Sequence, residues 1–338
     1  MNITALLLTV FFTQATPLQR FEFEQTEMAV PVRIVLYAES EAHAKQAAEA
    51  AYLRFHDLNL RLSDYNEQSE IRQFCDRALP NRFVRVSSDV WTVLQESVRI
   101  AQLTDGAFDP TVGQSVRLWR QARRSYRMPK PERLQKARAT TGWQNLLFDE
   151  TEHSIALRET GAAERNVRVD LGGIAKGYAI DEAVQAMKLL GVTRVMVDAG
   201  GDVGLGDPPP GKEGWTIAIT PARKDEKPTE FLTLANCGLA NSGDLFQFVE
   251  IDGVRYSHIV DPKTGLGLTN RLLVSVLAPN AMQADALASA FCVMGEKRAL
   301  ELAERLPGTE TQILRILPDE QIERYQTTGF PSATRQAP

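Results

Sequence analysis

Residues 246–256 have the sequence Phe246-Gln247-Phe248-Val249-Glu250-Ile251-Asp252-Gly253-Val254-Arg255-Tyr256, in which Asp-Gly separates two segments rich in apolar and aromatic residues. Two such segments around Asp-Gly predict a β-hairpin. A strand follows, and residues 281–294 then predict an apolar helix that Asn280 and Gln283 begin as a capping box and Gly295 ends. Adjacent hairpins with helices grouped apart from them indicate an α+β fold rather than a doubly wound parallel sheet.

The other segments predict the same mixture of strands and helices. Strands are predicted at residues 21–25 and 32–37, and helices at 40–62, from Ser87 or Ser88 to before Gly106, and at 174–190. A charged helix-and-loop insert covers residues 117–141. No repeat or interdomain linker is visible in the sequence. Residues 17–330 are therefore predicted to form a single domain, followed by an unstructured tail at 331–338.

The composition excludes several classes of protein. The chain has 338 residues, of which 43% are hydrophobic and 24% charged, and its net charge is −5. This balance is typical of a globular protein with a sizeable core, and the mild acidity argues against a nucleic-acid binder. The cysteines Cys75, Cys237 and Cys292 match no metal-binding spacing, and an odd number cannot pair fully within one chain. They are therefore expected to be buried free thiols.

The N-terminus contains an apolar segment from Ile3 to Phe12, followed by Thr13-Gln14-Ala15. This pattern predicts a secretory signal peptide over residues 1–15, although no Lys or Arg precedes the apolar segment. The alternative is a buried first strand. No apolar run reaches the roughly 20 residues that a membrane-spanning helix needs. Export is therefore expected, with the leader either cleaved or retained as an anchor.

The sequence Val167-Arg168-Val169-Asp170-Leu171-Gly172-Gly173-Ile174-Ala175-Lys176-Gly177 predicts a strand that passes through two glycines directly into a helix. The first turn of a helix presents unpaired N–H groups and partial positive charge, and glycine lets a phosphate approach the backbone. A lysine in that turn opposes the helix dipole, so a bound anion would explain Lys176. The alternative is a glycine turn with an exposed lysine.

Asp285 and Ser289 lie four residues apart in the predicted helix 281–294, so both side chains leave the same helix face. A carboxylate and a hydroxyl are oxygen ligands that suit Mg²⁺, and Mg²⁺ in proteins usually brings a phosphate with it. The alternative is a carboxylate favoured by the helix dipole, with a serine bonded to its own backbone.

His258 is one of four histidines, and it follows a predicted strand and precedes the turn Asp261-Pro262-Lys263-Thr264-Gly265. An imidazole with a near-neutral pKa can accept a proton from an attacking hydroxyl, and Asp261 is a candidate to orient the ring. The alternative is a buried histidine bonded to a neighbouring carbonyl. Tyr65 and the rigid turn at Phe108-Asp109-Pro110 could meet a flat ligand ring, but each is more often purely structural.

Taken together, these segments resemble, in order, the FAD:protein FMN transferases, which are also called ApbE-type flavin transferases and were formerly called thiamine-biosynthesis lipoproteins. The resemblance covers nearly the whole chain from about Met28. The matching segments are Ser63-Asp64-Tyr65, Ser69-Glu70-Ile71, Phe108-Asp109-Pro110-Thr111-Val112-Gly113, Val169 to Tyr178, Asp198-Ala199-Gly200-Gly201-Asp202, Ser242-Gly243-Asp244, Tyr256 to Gly265, Ala284-Asp285-Ala286 and Met294-Gly295.

The resemblance implies a periplasmic enzyme of mixed or antiparallel sheets with flanking helices, in which FAD binds in a cleft between two halves. It implies that FMN is transferred from FAD, with Mg²⁺, through a phosphoester bond to a Ser or Thr hydroxyl, and that AMP is released. It also implies acceptors that are flavoprotein subunits of membrane redox complexes. Carried over by position, the FAD contacts are Met28, Ser63, Asp64, Tyr65, Ala107, Phe108, Asp109, Asp170, Lys176 and Ile259. The Mg²⁺ ligands are the Gly173 carbonyl, Asp285 and Ser289, and the catalytic candidates are His258, Lys176 and Asp261.

The sequence departs from the family pattern at several positions. Ala29-Val30 follows Met28 where Gly-Thr is common, Cys75 replaces a frequent asparagine, and Ser289 replaces a frequent threonine. A serine hydroxyl still coordinates Mg²⁺ but lacks the methyl group that restricts the threonine rotamer. Two other functions stay open at this point. One is a Mg²⁺-dependent FAD pyrophosphatase that yields FMN and AMP, and the other is a non-catalytic exported flavin-binding protein.

Overall fold

The computed structural model describes residues 17–160, 167–223, 226–244 and 247–335. The predicted signal peptide over residues 1–15 lies outside this range. The helices are α1 Glu41–Leu62, α2 Glu70–Arg77, α3 Ser88–Leu103, α4 Gly113–Ser125, α5 Pro131–Arg138, α6 Ala175–Leu189, α7 Ala281–Met294 and α8 Glu296–Ala303. The strands are β1 Gln19–Glu27, β2 Val30–Ala38, β3 Val84–Arg85, β4 Leu146–Asp149, β5 Ser154–Leu157, β6 Val195–Ala199, β7 Asp202–Leu205, β8 Trp215–Ala218, β9 Glu230–Leu234, β10 Gly238–Gly243, β11 Phe248–Ile251, β12 Val254–Ser257, β13 Leu272–Ala278, β14 Glu310–Ile316, β15 Ile322–Gln326 and β16 Thr334–Arg335.

An eight-stranded sheet in the order β1-β2-β6-β7-β10-β13-β14-β15 forms the centre of the molecule, and all its strand pairs are antiparallel. The alternation along β2 shows how the sequence covers both faces. Val32, Ile34 and Leu36 pack under the helices, whereas Val35 faces the small sheet β16-β9-β8 through Trp215. The period of two in a strand thus divides the core between helices on one face and strands on the other. The α+β prediction is confirmed.

A carboxylate in the middle of α6 holds the N-terminal end of α7. Asp181 on α6 accepts hydrogen bonds from the amides of Ala281 and Met282, each at 2.8 Å. Asn280 accepts the Gln283 amide at 2.9 Å, which confirms the predicted cap. Both caps satisfy donors that the first turn of a helix leaves unpaired. The Asp181 cap also holds the first turn of α7 against α6, which determines where the rest of α7 lies.

The hairpin predicted from Asp252-Gly253 forms as β11–β12. Both turn residues adopt left-handed backbone, with φ of 52° and 77°, as a type I′ turn requires. This hairpin packs against α4 in a small core of its own, which contains Trp119, Val249 and Ile251. Helix α4 therefore supports β12, the strand that leads to His258.

Some elements differ from the prediction. Helices α2 and α8 were not predicted, because each has only eight residues and α8 follows directly after Gly295, which ends α7. Within the segment expected to be an unstructured tail, Thr334 and Arg335 form β16, which pairs with Phe231 and Glu230. That pairing joins residues about a hundred positions apart, so local sequence does not reveal it. Residues 336–338 lie outside the described range.

All three cysteines are free thiols, as expected, but only Cys75 and Cys292 are buried, whereas Cys237 is partly exposed. Burial raises the pKa of the Cys75 thiol to about 11, so this thiol is protonated at neutral pH. No helix among the described residues is both long and apolar enough to cross a bilayer.

The turn between β1 and β2 contains backbone strain that a single substitution should relieve. Met28 and Ala29 both adopt left-handed backbone, with φ of 47° and 63°. Glycine occupies this region without the Cβ clash that other residues incur. Ala29→Gly is therefore expected to raise the free energy of unfolding by about 0.5–1 kcal/mol, measured by urea denaturation. A matched control is Gly253→Ala in the β11–β12 turn, where φ is 77°, and this variant should lower the free energy of unfolding. An unchanged or lower stability of Ala29→Gly would contradict the strain.

Candidate active site

The glycine corner before α6 lies directly against α7. A Cβ atom built on Gly173 would lie 3.0 Å from the Ser289 hydroxyl oxygen and 3.5 Å from the Phe108 ring. A Cβ on Gly177 would collide with the carbonyl of Ala281. Gly177 is thus required by its close approach to the α7 backbone, and Gly173 lies tightly against the Ser289 side chain.

Asp285 completes the same corner. Its carboxylate accepts the Gly177 amide at 3.0 Å, across 108 residues of sequence, and its side chain is buried. Burial raises the pKa of Asp285, and the Lys176 ammonium and the Gly177 amide act in the opposite direction. A buried carboxylate with one amide donor still has oxygen lone pairs to offer a cation.

Lys176 and Asp202 form an ion pair beside this corner. The other oxygen of Asp202 accepts the Asn241 amide at 2.9 Å, and Asp202 is almost fully buried. Lys176 is thus held in place by a carboxylate that is itself fixed to β10. Lys176 lies in the first turn of α6, where the sequence predicted an anion-binding lysine, and its ammonium group reaches Asp202.

The residues at this corner fit a hard divalent cation. Among the described residues, no group of three or more His, Cys, Asp or Glu side chains could hold a metal ion. The set at the corner is instead one carboxylate, one hydroxyl and the backbone at Gly173, whose carbonyl the resemblance implies as a third oxygen ligand. Ser242 adds a second hydroxyl, 3.3 Å from that of Ser289. Mg²⁺ takes all-oxygen ligands and usually keeps water and substrate phosphate in its remaining positions, so a small protein set suits it.

A second cluster is organised by Arg120 of α4, which sequence reasoning did not single out. Its guanidinium forms ion pairs with Asp64 and, at 2.8 Å, with Asp170. The Tyr65 ring lies over the same group, 3.9 Å from its carbon to the ring centroid. Three of the predicted FAD contacts thus surround one arginine. Arg120 sits in a segment rich in arginine, so nothing in its local sequence separates it from its neighbours.

Asp170 is the carboxylate that links this cluster to the glycine corner. Burial and the neighbouring Asp64 raise the pKa of Asp170 to about 6, while Arg120 and the Gly172 amide act to lower it. The Gly172 amide donates to Asp170 at 2.9 Å, so this side chain also fixes the start of the glycine corner. Since Asp170 precedes Gly173 by three residues, the Arg120 cluster and the Gly173–Ser289 corner adjoin each other.

Asp109 has a structural role in this arrangement. One of its oxygens accepts the amide and the hydroxyl of Thr111, at 2.8 and 2.6 Å, and the other accepts the Trp143 amide at 2.9 Å. The Pro110 carbonyl in turn accepts the Asp170 amide at 2.8 Å. Asp109 therefore holds the turn that places Phe108 against Gly173. A ligand contact at Ala107 to Asp109 would involve backbone atoms or the Phe108 ring.

His258 lies half-buried after β12, with its Nδ1 atom 3.2 Å from the Gln247 carbonyl. Burial lowers the pKa of His258, and the Arg123 guanidinium acts in the same direction, whereas the Gln247 carbonyl and Asp244 raise it. The imidazole is therefore mainly neutral at pH 7, as a proton acceptor must be. A contact with a neighbouring carbonyl is what a purely structural histidine would also make, but this contact uses Nδ1 and leaves Nε2 available.

The expectation that Asp261 orients the His258 ring is wrong. The Asp261 carboxylate accepts the Lys263 amide at 2.8 Å and the Thr264 hydroxyl at 3.1 Å, so it closes its own turn. An aspartate at the first position of such a turn bonds the backbone two residues on more readily than a distant ring. The Gln247 carbonyl, 11 residues before His258, takes the orienting role instead, and nothing in its local sequence indicated this role.

The remaining predicted contacts lie around these clusters. Ser63 ends α1 next to Asp64, and its hydroxyl accepts the Asn66 amide at 3.3 Å. Met28 lies in the β1–β2 turn, and Met28 and Ile259 both pack against the main core. A cavity of about 630 Å³ is lined by Asp109 with Gly106, Arg138, Trp143, Pro262 and Lys263, but not by the Gly173 corner, the Arg120 cluster or His258. This volume is in the range of small-molecule sites.

Comparison with known proteins agrees with this architecture. The sequence profile that describes the ApbE family matches residues 28–313 of this chain. A Haemophilus influenzae protein named FAD:protein FMN transferase is 36% identical over 255 residues, which are 74% of this chain and 72% of that protein. A Vibrio cholerae protein of the same name is 34% identical over 280 residues, covering 81% of this chain and 80% of the relative.

Solved structures show the same fold. The flavin transferase ApbE from Vibrio cholerae has a TM-score of 0.81 at 30% identity, covering 93% of this chain and 99% of the other. The ApbE protein from Thermotoga maritima has a TM-score of 0.78 at 32% identity, covering 90% and 97%. This chain therefore belongs to the ApbE family.

Proposed function

We propose that this chain is a Mg²⁺-dependent FAD:protein FMN transferase, which attaches FMN through a phosphoester bond to a Ser or Thr hydroxyl of an acceptor protein and releases AMP. The observation that carries the proposal is the meeting of Gly173, Asp285 and Ser289 beside Lys176. The names of the relatives support the same reaction. A divalent-cation site next to a lysine at the N-terminus of a helix suits the binding of a diphosphate.

The chain supplies distinct groups for binding FAD. The diphosphate is proposed to bind at the start of α6, where the N-cap residue Ile174 provides no side-chain hydrogen bond. Lys176 offsets phosphate charge there, as charge develops on the leaving AMP. Mg²⁺, held by the Gly173 carbonyl, Asp285 and Ser289, would supply further neutralisation of the phosphate oxygens. Tyr65 offers a ring face for stacking, and Asp64 and Asp170 offer acceptors for hydroxyl or amino groups.

His258 acts as the proton acceptor. Its neutral imidazole takes the proton from the acceptor hydroxyl, and the hydroxyl oxygen then forms a bond to the phosphorus of the FMN half. The bond between that phosphorus and the bridging oxygen breaks, and AMP leaves with the electron pair. The Gln247 carbonyl keeps the proton on Nδ1 and leaves Nε2 as the base. Asp261 contributes only through the turn that follows.

The proposal is tested with purified protein, FAD and Mg²⁺, in the presence and absence of an acceptor flavoprotein subunit. Mass spectrometry of the acceptor should show the added mass of FMN on a Ser or Thr, and AMP should appear only with acceptor. Equal AMP release without acceptor would identify a pyrophosphatase. Bound FAD with no product in either case would identify a flavin-binding protein. Addition of EDTA should abolish transfer if Mg²⁺ is required.

Arg120→Gln is expected to raise the KM for FAD about tenfold at pH 7, because it leaves two carboxylates without their shared partner and removes the support of Tyr65. Arg120 lowers the pKa of Asp170, so its loss moves that pKa further above about 6 and protonates more Asp170 at pH 7. The defect should therefore shrink as the pH rises to alkaline values. Steady-state kinetics against pH measure this change.

The control for this variant is Arg120→Lys, which keeps the charge but not the two-pronged geometry, and should recover part of the affinity. A positioning role predicts a nearly unchanged kcat at saturating FAD. An unaltered KM in Arg120→Gln at pH 7 would contradict the role of this cluster in binding FAD.

Location and partners belong to the same proposal. The apolar segment from Ile3 to Phe12 supports export by a signal peptide and action in the periplasm. The acceptors are proposed to be flavoprotein subunits of membrane redox complexes. Fractionation of cells that express the tagged full chain tests the location, since a periplasmic protein is released by osmotic shock.

A further inference from the structure

The insert formed by α4, α5 and the loops around them, residues 113–141, is called here the basic hairpin. It contains nine Lys and Arg residues and a single acidic residue, Glu132, which gives it a net charge of +8. The whole chain has a net charge of −5, so the remaining residues together carry −13. Such a separation of charge within one chain produces a strong local positive potential.

The charges of the basic hairpin divide into an inner and an outer set. The inner arginines face the site: Arg120 binds Asp64 and Asp170, and Arg123 donates to the Gln247 amide oxygen at 3.3 Å, next to the carbonyl that holds His258. The outer set is exposed to solvent and consists of Arg117, Arg124, Arg127, Lys130, Arg133, Lys136 and Arg138. The basic hairpin therefore borders the proposed proton acceptor through Arg123.

The basic hairpin is firmly attached to the rest of the protein. The Trp119 indole N–H donates to the Gly265 carbonyl at 2.6 Å, and Trp119 packs on the β11–β12 hairpin. At the other end, the Gly142 amide donates to the Thr111 hydroxyl at 2.7 Å. A surface fixed at both ends presents its charges in a constant arrangement relative to His258, which favours a docking role.

The chemistry of this surface indicates what binds it. Seven of the nine basic residues are arginines, whose planar guanidinium matches carboxylates in a two-pronged geometry. Helices that lie on membranes also expose several large apolar residues. In the described basic hairpin, Tyr126 is the exposed large apolar residue. A carboxylate-rich protein segment fits these features better than a lipid surface does.

We infer that the basic hairpin is the docking surface for an acidic segment of the acceptor protein, next to the Ser or Thr that receives FMN. This inference rests on the proposed transfer function, because that reaction requires a protein hydroxyl to reach His258. Attraction between an acidic segment and the outer arginines would raise the local concentration of that hydroxyl at the cleft.

Three synthetic peptides test the inference, each with one threonine flanked by aspartates, by neutral residues or by lysines. The acidic peptide should accept FMN with a kcat/KM about tenfold above that of the neutral peptide, and added salt should remove this advantage. The double variant Arg124→Glu/Arg127→Glu should lose most of the preference. A matched control, Lys45→Glu/Lys212→Glu, changes the net charge equally on other exposed surfaces and should keep it.

A binding measurement separates the inference from the reaction itself. Fluorescence anisotropy of the labelled peptides without FAD should show binding of the acidic peptide alone. Binding without transfer to any peptide would support the surface and count against the proposed function. Equal transfer to all three peptides would overturn the inference. So would binding to phosphatidylglycerol vesicles in the absence of acidic-peptide binding, because the surface would then recognise a membrane.

Discussion

Replacement of Asp285 by asparagine should lower the rate of FMN transfer about a thousandfold, which corresponds to about 4 kcal/mol of lost transition-state stabilisation. Asparagine keeps an oxygen that can accept the Gly177 amide, so the corner between α6 and α7 should persist. It removes the only acidic side chain among the proposed Mg²⁺ ligands. Loss of that charge should weaken Mg²⁺ binding and leave phosphate charge uncompensated. The measurement is the rate of acceptor flavinylation as a function of Mg²⁺ concentration.

Two variants serve as controls for Asp285→Asn. Asp181→Asn alters a carboxylate that also accepts backbone amides at α7 but lies outside the ligand set, and it should reduce stability while largely preserving transfer. Ser289→Thr adds the methyl group that restricts the hydroxyl rotamer, and it should lower the Mg²⁺ concentration needed for half-maximal rate. If Asp285→Asn retained the normal rate at limiting Mg²⁺, the proposed metal site would be wrong.

His258→Ala is expected to lower FMN transfer by about a hundredfold or more, with FAD and Mg²⁺ binding intact, because a general base contributes 10²–10⁴-fold. The pH dependence of the normal protein should show the same group. Burial lowers the pKa of His258 below its usual value, so the base form is present at pH 7 and is lost as the pH falls through that lowered pKa. The rate should therefore be level near neutrality and decrease on the acid side.

The outcome that would argue against this role is an unchanged acid limb in His258→Ala after correction for the lower rate. Asp261→Asn provides a second comparison. Asp261 bonds Lys263 and Thr264 within its own turn and does not hold the ring, so this variant should affect stability more than rate. A loss in Asp261→Asn as large as that in His258→Ala would restore a direct catalytic role for Asp261.

Local patterns were sufficient for most of the secondary structure. The helical spacing from Ser40 to Leu62, the Asp252-Gly253 turn and the Asn280 cap all involve residues within a few positions of one another. Steric and hydrogen-bonding preferences at that range are present in the sequence itself. Helix α8 was missed because it follows Gly295 directly, so the glycine that ends α7 concealed the start of another helix.

The site was only partly visible in the sequence. The i,i+4 relation of Asp285 and Ser289 follows from helix geometry alone, and the unusual lysine at the start of α6 follows from the helix dipole. Arg120 and Gln247 were not identified, because their roles depend on partners outside their local sequence. The carboxylates bound by Arg120 are 50 or more residues away, and His258 is 11 residues from Gln247. For the same reason, proximity in the motif suggested Asp261 as the partner of His258, whereas the fold supplied a carbonyl.

By itself, the sequence determined the α+β character, the individual helices and hairpins, and the oxygen and nitrogen groups available for binding a cation and an anion. Only the tertiary structure decided that Gly173 touches Ser289, that Asp285 binds Gly177 across 108 residues, and that one arginine gathers Asp64, Tyr65 and Asp170. The physical reason is that these contacts depend on how α4, α6 and α7 pack on the sheet. That packing is set by many buried side chains acting together, and no single segment contains it.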